Sequence, residues 1–254
     1  MKIVELLWQL FFLIELTTQF SARRITDENN RIQILNRKKS IKIRRIELNK
    51  IILVQHCQSE HHINNMSGGW TDTPLTDLGK TQAEIVGKCL KEKVNKDDFV
   101  LYSSDLLRAK QTAEIVRTHL DLDVIQDKGL REINTGVAAG KTKDWARANR
   151  NPRTRSGFDL DYQEFQDGES WGEFYSRVCC CMDRIYESEK DKKLLIVTHG
   201  GTLGYILAWW MKFEPEMIVN AYFSSSIGGI TVLSQNSFKQ NVVNKFNDTS
   251  HLIY

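Results

Sequence analysis

Two histidines stand where apolar runs stop. Ile51-Ile52-Leu53-Val54 leads into Gln55-His56, and the run from Lys193 to Thr198 leads into His199 and then Gly200-Gly201. A short β-branched run of this kind predicts a buried strand that delivers side chains at its C-terminal end. The second histidine also precedes a helix start, where free N–H groups and the helix dipole suit an anion. Together the two strand ends predict a paired-histidine phosphate site. A third element supports it. In the stretch from Tyr102 to Ala113, Ser and Asp caps are expected to open a helix with Arg108 in its first turn, so that the guanidinium reaches back over the strand ends.

Other chemistries fit less well. Gly168-Glu169-Ser170-Trp171-Gly172 matches the G-x-S-x-G pattern of serine hydrolases, but no apolar strand precedes it. Ser170 with Glu173 reads instead as a capping box that starts the next helix. His56, Cys57, Glu60, His61 and His62 are metal-ligand types, yet adjacent His61 and His62 cannot easily share one ion and no partner follows at H-x-x-x-H spacing. No metal is expected. The cysteines, three of them consecutive at Cys179, Cys180 and Cys181, form no disulfide framework and no C-x-x-C pair, which suggests a reducing, cytoplasmic compartment.

Positioning such a site takes alternating strands and helices, and the sequence supplies them. Helices are expected from about Thr76 to Val94, Asp105 to Leu120, Ser170 to Glu189 and Thr202 to Met211, each with apolar residues at helical spacing. Strands are expected at Ile51–Val54, Phe99–Tyr102, Val124–Ile125, Lys193–Thr198 and Ile227–Leu233. That alternation predicts an α/β sandwich with ligand chemistry at strand C-termini.

The chain of 254 residues, 41% hydrophobic and 26% charged, is long enough for one large core, and no apolar run is long enough to span a bilayer. Its charge is uneven, with ten Lys or Arg against Asp27, Glu28 and Glu47 between residues 21 and 50. Leu6 to Ile14 has the length of a signal-peptide core, but Glu5 and Glu15 bracket it and Gln9 interrupts it. Residues 1–49 read as a basic extension, poorly ordered or non-native, and residues 50–254 as the folded domain. The run Arg37–Arg45 reads as a solvated basic tail, with no nucleic-acid partner and no stable membrane insertion expected.

Four stretches occur in an informative order: Leu53–Glu60; Gly69–Thr76 with Gly79, Gln82 and Ala83; Ser103–Ala113 with Leu130-Arg131-Glu132-Ile133; and Val197–Gly201. From about Lys50 onward the chain thereby resembles the histidine phosphatase (phosphoglycerate mutase-like) superfamily. The resemblance implies a three-layer sandwich with a mixed, mostly parallel central sheet flanked by helices. It also implies a phosphohistidine intermediate and neither metal nor other cofactor. Carried onto this sequence, His56 would attack phosphorus, Glu132 would protonate the leaving oxygen, and His199 and Arg108 would hold phosphoryl oxygens. Gln55, Ser59, His62 and Gly200 would line the substrate site.

This chain departs from the pattern in one loop. Gln55-His56-Cys57 replaces Arg-His-Gly, and His62 stands where the family has Asn. The expectation is therefore a metal-independent phosphomonoesterase of reduced activity toward a small phosphorylated metabolite, as a monomer or homodimer. The alternatives are a phospho-ligand-binding protein without turnover and a mutase-type phosphotransferase, the latter opposed by the short interval from Glu132 to His199. Within that interval Lys141, Lys143, Arg147, Arg150, Arg153 and Arg155 are candidates for gripping an anionic substrate.

Overall fold

The computed structural model describes residues 50–153 and 155–252. The expectations for residues 1–49 lie outside the described residues. Among the described residues, six strands form one sheet: β1 (Lys50–Gln55), β2 (Phe99–Ser103), β3 (Val124–Gln126), β4 (Lys193–Thr198), β5 (Ile230–Gln235) and β6 (Asn241–Asp248), in the order β3-β2-β4-β1-β5-β6. The pairs β3–β2, β2–β4 and β4–β1 are parallel, and β1–β5 and β5–β6 are antiparallel. The sheet is mixed and mostly parallel, as expected.

The continuous apolar character of the central strands explains the three layers. Side chains alternate between faces, so a strand without polar alternation must be covered on both. Ile52 and Val54 of β1, with Leu195 and Val197 of β4, pack against Val86 and Leu90 of α2 (Asp77–Lys91) and Ala113 and Val116 of α3 (Leu107–Leu120). Ile51, Leu53, Leu194 and Ile196 pack on the opposite side against Phe174, Val178 and Ile185 of α5 (Trp171–Ser188) and Leu203 and Leu207 of α6 (Gly200–Trp210). Two short helices, α1 (Glu60–Ile63) and α4 (Lys143–Ala148), lie in the connections.

Several local expectations are met. Thr76 caps α2 by accepting from the Gly79 N–H at 3.0 Å. Ser170 and Glu173 form a reciprocal capping box, their two bonds 3.2 and 2.8 Å, so the G-x-S-x-G pattern marks a helix start and not a nucleophile elbow. The three consecutive cysteines face different ways on α5, Cys181 buried and Cys180 exposed, and all five thiols are free. Among the described residues, no helix is long and apolar enough to cross a membrane.

Other details differ. Of the Ser and Asp residues expected to cap the Arg108 helix, Ser104 accepts from the Leu106 N–H at 3.3 Å as the chain enters the helix, while Asp105 is employed elsewhere. The N-cap is Leu106, which makes no side-chain cap bond, while Asp105 takes two bonds of 2.7 Å from Arg131. Helix α6 starts at Gly200, two residues earlier than expected, and β5 starts at Ile230, three later, because Gly228 turns the chain at φ +66. Strand β6 was not expected from the sequence: it is a polar, largely exposed edge strand.

Candidate active site

Parallel pairing places the two histidines side by side. Gln55 of β1 is in register with Thr198 of β4, so the residues that follow, His56 and His199, leave the sheet level with one another. The His56 N–H donates to the Thr198 carbonyl at 2.8 Å, and the two rings meet edge to face with centroids 5.1 Å apart.

The tautomer of His56 follows from its partners. A carbonyl oxygen only accepts, so the 2.8 Å contact with the Cys57 carbonyl fixes the proton on Nδ1. Nε2 then carries a lone pair, and the Arg108 Nε–H donates to it at 3.1 Å. Burial first, and then the Arg108 charge, hold the His56 pKa well below the ordinary histidine value. His56 is therefore a neutral imidazole with an unprotonated Nε2 inside the site.

Arg108 is almost fully buried, and its guanidinium donates to the Thr71 and Gly69 carbonyls at 2.8 Å each. Burial lowers its pKa to about 10, opposed by Glu132 and Asp72, so it remains charged at neutral pH. The carbonyl cradle needs Gly69: its φ is +59, and a Cβ there would come 2.8 Å from the Ile133 carbonyl. The next residue, Trp70, donates its indole N–H to the Glu132 carbonyl at 2.7 Å and carries the Arg131 guanidinium 4.6 Å above its ring. One turn thus holds both Arg108 and the segment bearing Glu132.

The Glu132 carboxylate accepts from the Ile133 N–H at 3.0 Å and from the Gly201 N–H at 2.9 Å. It is docked on the first turn of α6, where a Cβ on Gly201 would overlap it. His199 caps the same helix. Its Nε2 shares a 2.8 Å hydrogen bond with the Ser104 hydroxyl, and its buried Nδ1 has no partner among the described residues. Burial and then the Arg108 charge keep its pKa well below the usual value.

Ser59 and His62 are also brought to the site. The His62 ring stacks on His56 at 5.5 Å and accepts from the Ser59 N–H at 3.0 Å, while the Ser59 hydroxyl bonds His61 Nδ1 at 2.8 Å. Burial, His62, Arg108 and Lys143, in that order, push the His61 pKa down to about 3. The Gln55 amide lies against Gly200, and its oxygen accepts from the Ser225 hydroxyl at 2.6 Å. Cys57 fits its position without strain: it is not among the residues with positive φ, its side chain is in the core, and its N–H donates to Thr112 at 3.1 Å.

The basic residues between Glu132 and His199 are mostly engaged with one another's surroundings. Arg147 pairs with Asp144, Arg150 with Glu164 and Arg155 with Asp159, while Lys141 and Arg153 lie over Trp145 and Tyr162. Lys143 is close enough for its charge to depress both His61 and His62. Among the described residues, no three His, Cys, Asp or Glu side chains converge to hold a metal ion.

Two contributors escaped the sequence reading. Ser225 lies 170 positions from Gln55 with no pattern to link them. Arg177, in mid-helix on α5, pairs with Glu169 at 2.6 Å and donates to the carbonyls of Gly129, Arg131 and Glu132, fixing the strap that carries Glu132.

A family model for the histidine phosphatase superfamily (branch 1) matches residues 51–249. The chain belongs to this superfamily. As a histidine phosphatase superfamily member it is 30% identical over 199 residues to a 2,3-bisphosphoglycerate-dependent phosphoglycerate mutase of Allorhizobium ampelinum, covering 74% of this chain and 91% of that one. It is 28% identical over 210 residues to the broad-specificity phosphatase YOR283W of Saccharomyces cerevisiae, covering 80% and 87%. The fold matches the alpha-ribazole phosphatase of Shigella flexneri with a TM-score of 0.66 at 22% identity, over 78% of this chain and 96% of that structure. The superfamily relatives include both phosphatases and mutases.

Proposed function

We propose that the protein is a metal-independent phosphomonoesterase that works through a phosphohistidine on His56. The observation that carries this reading is the buried, neutral His56 ring, whose Nδ1 proton is held by the Cys57 carbonyl and whose unprotonated Nε2 accepts from Arg108, the donor that passes to the phosphoryl oxygens when Nε2 attacks phosphorus. In the first step Nε2 forms the N–P bond while the bond from phosphorus to the ester oxygen breaks, and protonated Glu132 gives that oxygen its proton. In the second, Glu132 takes a proton from water as the water oxygen attacks phosphorus. The N–P bond breaks, releasing phosphate and restoring His56.

The phosphoryl oxygens carry negative charge throughout, so fixed donors stabilise them at each step. Arg108 supplies the charge, and the unpartnered Nδ1 of His199 and the N-terminus of α6 at Gly200 supply donors. Gln55 offers an amide where the resemblance implies a second arginine. Losing one strong donor costs about 10²–10³ in rate, which leaves measurable catalysis in enzymes that accelerate reactions by at least about 10⁶. The short interval from Glu132 to His199 favours hydrolysis over a mutase reaction. The same reading takes residues 50–254 as the catalytic domain, a small phosphorylated molecule as substrate, a monomer or homodimer as the working form, and a reducing, cytoplasmic setting suited to five free thiols.

Gln55 also motivates the rival reading, a phospho-ligand binder without turnover. The test is hydrolysis of an activated aryl phosphate, with chelator present, by the parent chain, His56→Ala and Gln55→Arg. Turnover lost in the alanine variant and raised in the arginine variant supports the phosphatase. Vanadate binding without turnover in any of the three supports the binder.

A further inference from the structure

Beside the phosphate-binding elements lies a cavity of about 470 Å³, within the range of small-molecule sites. Its walls include Gly201, Tyr205, Phe174, Trp171, Phe223 and Tyr222, and none of the described residues that line it is charged. Phe174 and Tyr205 pack with ring centroids 4.8 Å apart, forming a rigid aromatic wall. The cavity is joined to the chemistry through one residue. Gly201 forms part of the wall, and its N–H holds the Glu132 carboxylate at 2.9 Å.

We infer that this cavity takes the organic part of the substrate, and that the preferred substrates are phosphomonoesters with an uncharged, apolar alkyl or aryl leaving group. The inference rests on the hydrolytic reading of the site. If Glu132 protonates the leaving oxygen, that oxygen lies within hydrogen-bond reach of the carboxylate, and the group attached to it lies near Gly201, which both holds the carboxylate and forms part of the cavity wall. The Glu132 charge also contributes, after burial, to the raised pKa of the Tyr205 phenol, consistent with the wall standing close to the acid.

The same walls argue against substrates with a second anionic group. A carboxylate or second phosphate placed there would lose its hydration with no cation to pair it. Lys143, Arg147 and Arg150 line a different depression, with Ser67, Gly68 and Thr135, which does not include Gly201. Each methylene moved from water into an apolar site strengthens binding about fourfold. Affinity should therefore climb with chain length until the cavity is full.

The experiment uses the full chain and two homologous series: n-alkylphosphonates from methyl to octyl for binding by calorimetry, and the matching n-alkyl phosphates for kcat/KM. Both measures are expected to rise about fourfold per methylene over the first members, with 3-phosphoglycerate a poorer substrate than hexyl phosphate. Ala221→Trp, a half-buried lining position outside the catalytic machinery, is expected to stop the climb at a shorter chain while leaving methylphosphonate unaffected. Affinity and kcat/KM that ignore chain length, or an Ala221→Trp variant that weakens every member equally, would overturn the inference while leaving a phosphatase in place. Chain-length-dependent binding without turnover would keep the inference about the cavity and sink the hydrolytic reading. The absence of phosphonate binding together with the absence of turnover of any alkyl phosphate would defeat both.

Discussion

Acidification from about pH 7.5 to about pH 5.5 is expected to remove about 4 kcal/mol of folding free energy through three histidines alone. His56, His61 and His199 are each at least nine-tenths buried, and all three have folded pKa values below the 6.5 of an unfolded chain, His61 at about 3. In this window the unfolded state binds protons that the native state refuses. Stability is therefore complete above the unfolded pKa and falls as pH drops below it. Each such group contributes a slope of about 1.4 kcal/mol per pH unit once below its unfolded pKa, or about 1.4 kcal/mol over this interval. Three give about 4 kcal/mol, a large part of the about 5–15 kcal/mol that stabilises a typical domain. His62, also depressed, adds in the same direction. Urea unfolding at a series of pH values measures the effect, and His61→Gln should reduce the loss by about a third. Stability that is flat or rising on acidification would mean that the native imidazoles are charged. The neutral His56 on which the chemistry depends would then be refuted.

Other perturbations separate the roles of neighbouring groups. Glu132→Gln removes the proton donor and leaves one oxygen for the Gly201 N–H, so kcat/KM for alkyl phosphates, which reports the first step, should fall by about 10²–10⁴ while kcat/KM for activated aryl phosphates is much less affected, and kcat falls for both as hydrolysis of the phosphohistidine slows; a parallel series of both esters reads this directly. Gly201→Ala introduces a Cβ where the carboxylate lies, and the same ester comparison should show the same selective loss. Cys57→Gly removes a fully buried side chain from the core and should cost about 1–3 kcal/mol in urea unfolding without raising kcat, because the backbone there does not require glycine.

The layers and the histidine pair were legible because they rest on local signals. Ile51–Val54 and Lys193–Thr198 are apolar on both faces and end abruptly on histidines, and Ser170 with Glu173 marks a helix start unaided. The missed elements lack such signals. Strand β6 carries Asn, Lys and Asp on an exposed edge, and α1 and α4 are too short to show a period. The resemblance to the superfamily singled out Glu132, but its support by Trp70 and Arg177 depends on contacts 62 and 45 positions away. The partnership of Gln55 with Ser225, and the apolar cavity beside Gly201, likewise exist only once the chain is folded. Sequence reading also offered Lys141, Lys143, Arg147, Arg150, Arg153 and Arg155 as candidates for gripping an anionic substrate, with solvated surface as the alternative, and it could not show that Arg147, Arg150 and Arg155 each pair with an acidic residue of the same connection.

The most direct test of the central claim is chemical trapping of the intermediate. The full chain is mixed with an activated aryl phosphate, quenched within milliseconds in alkali, digested, and the phosphorylated peptide located by mass spectrometry. The account predicts an acid-labile, alkali-stable phosphate on the imidazole of His56, absent from His56→Ala and longer-lived in Glu132→Gln. Turnover by the parent chain with no phosphate ever found on His56, or with the label on another residue, would contradict it.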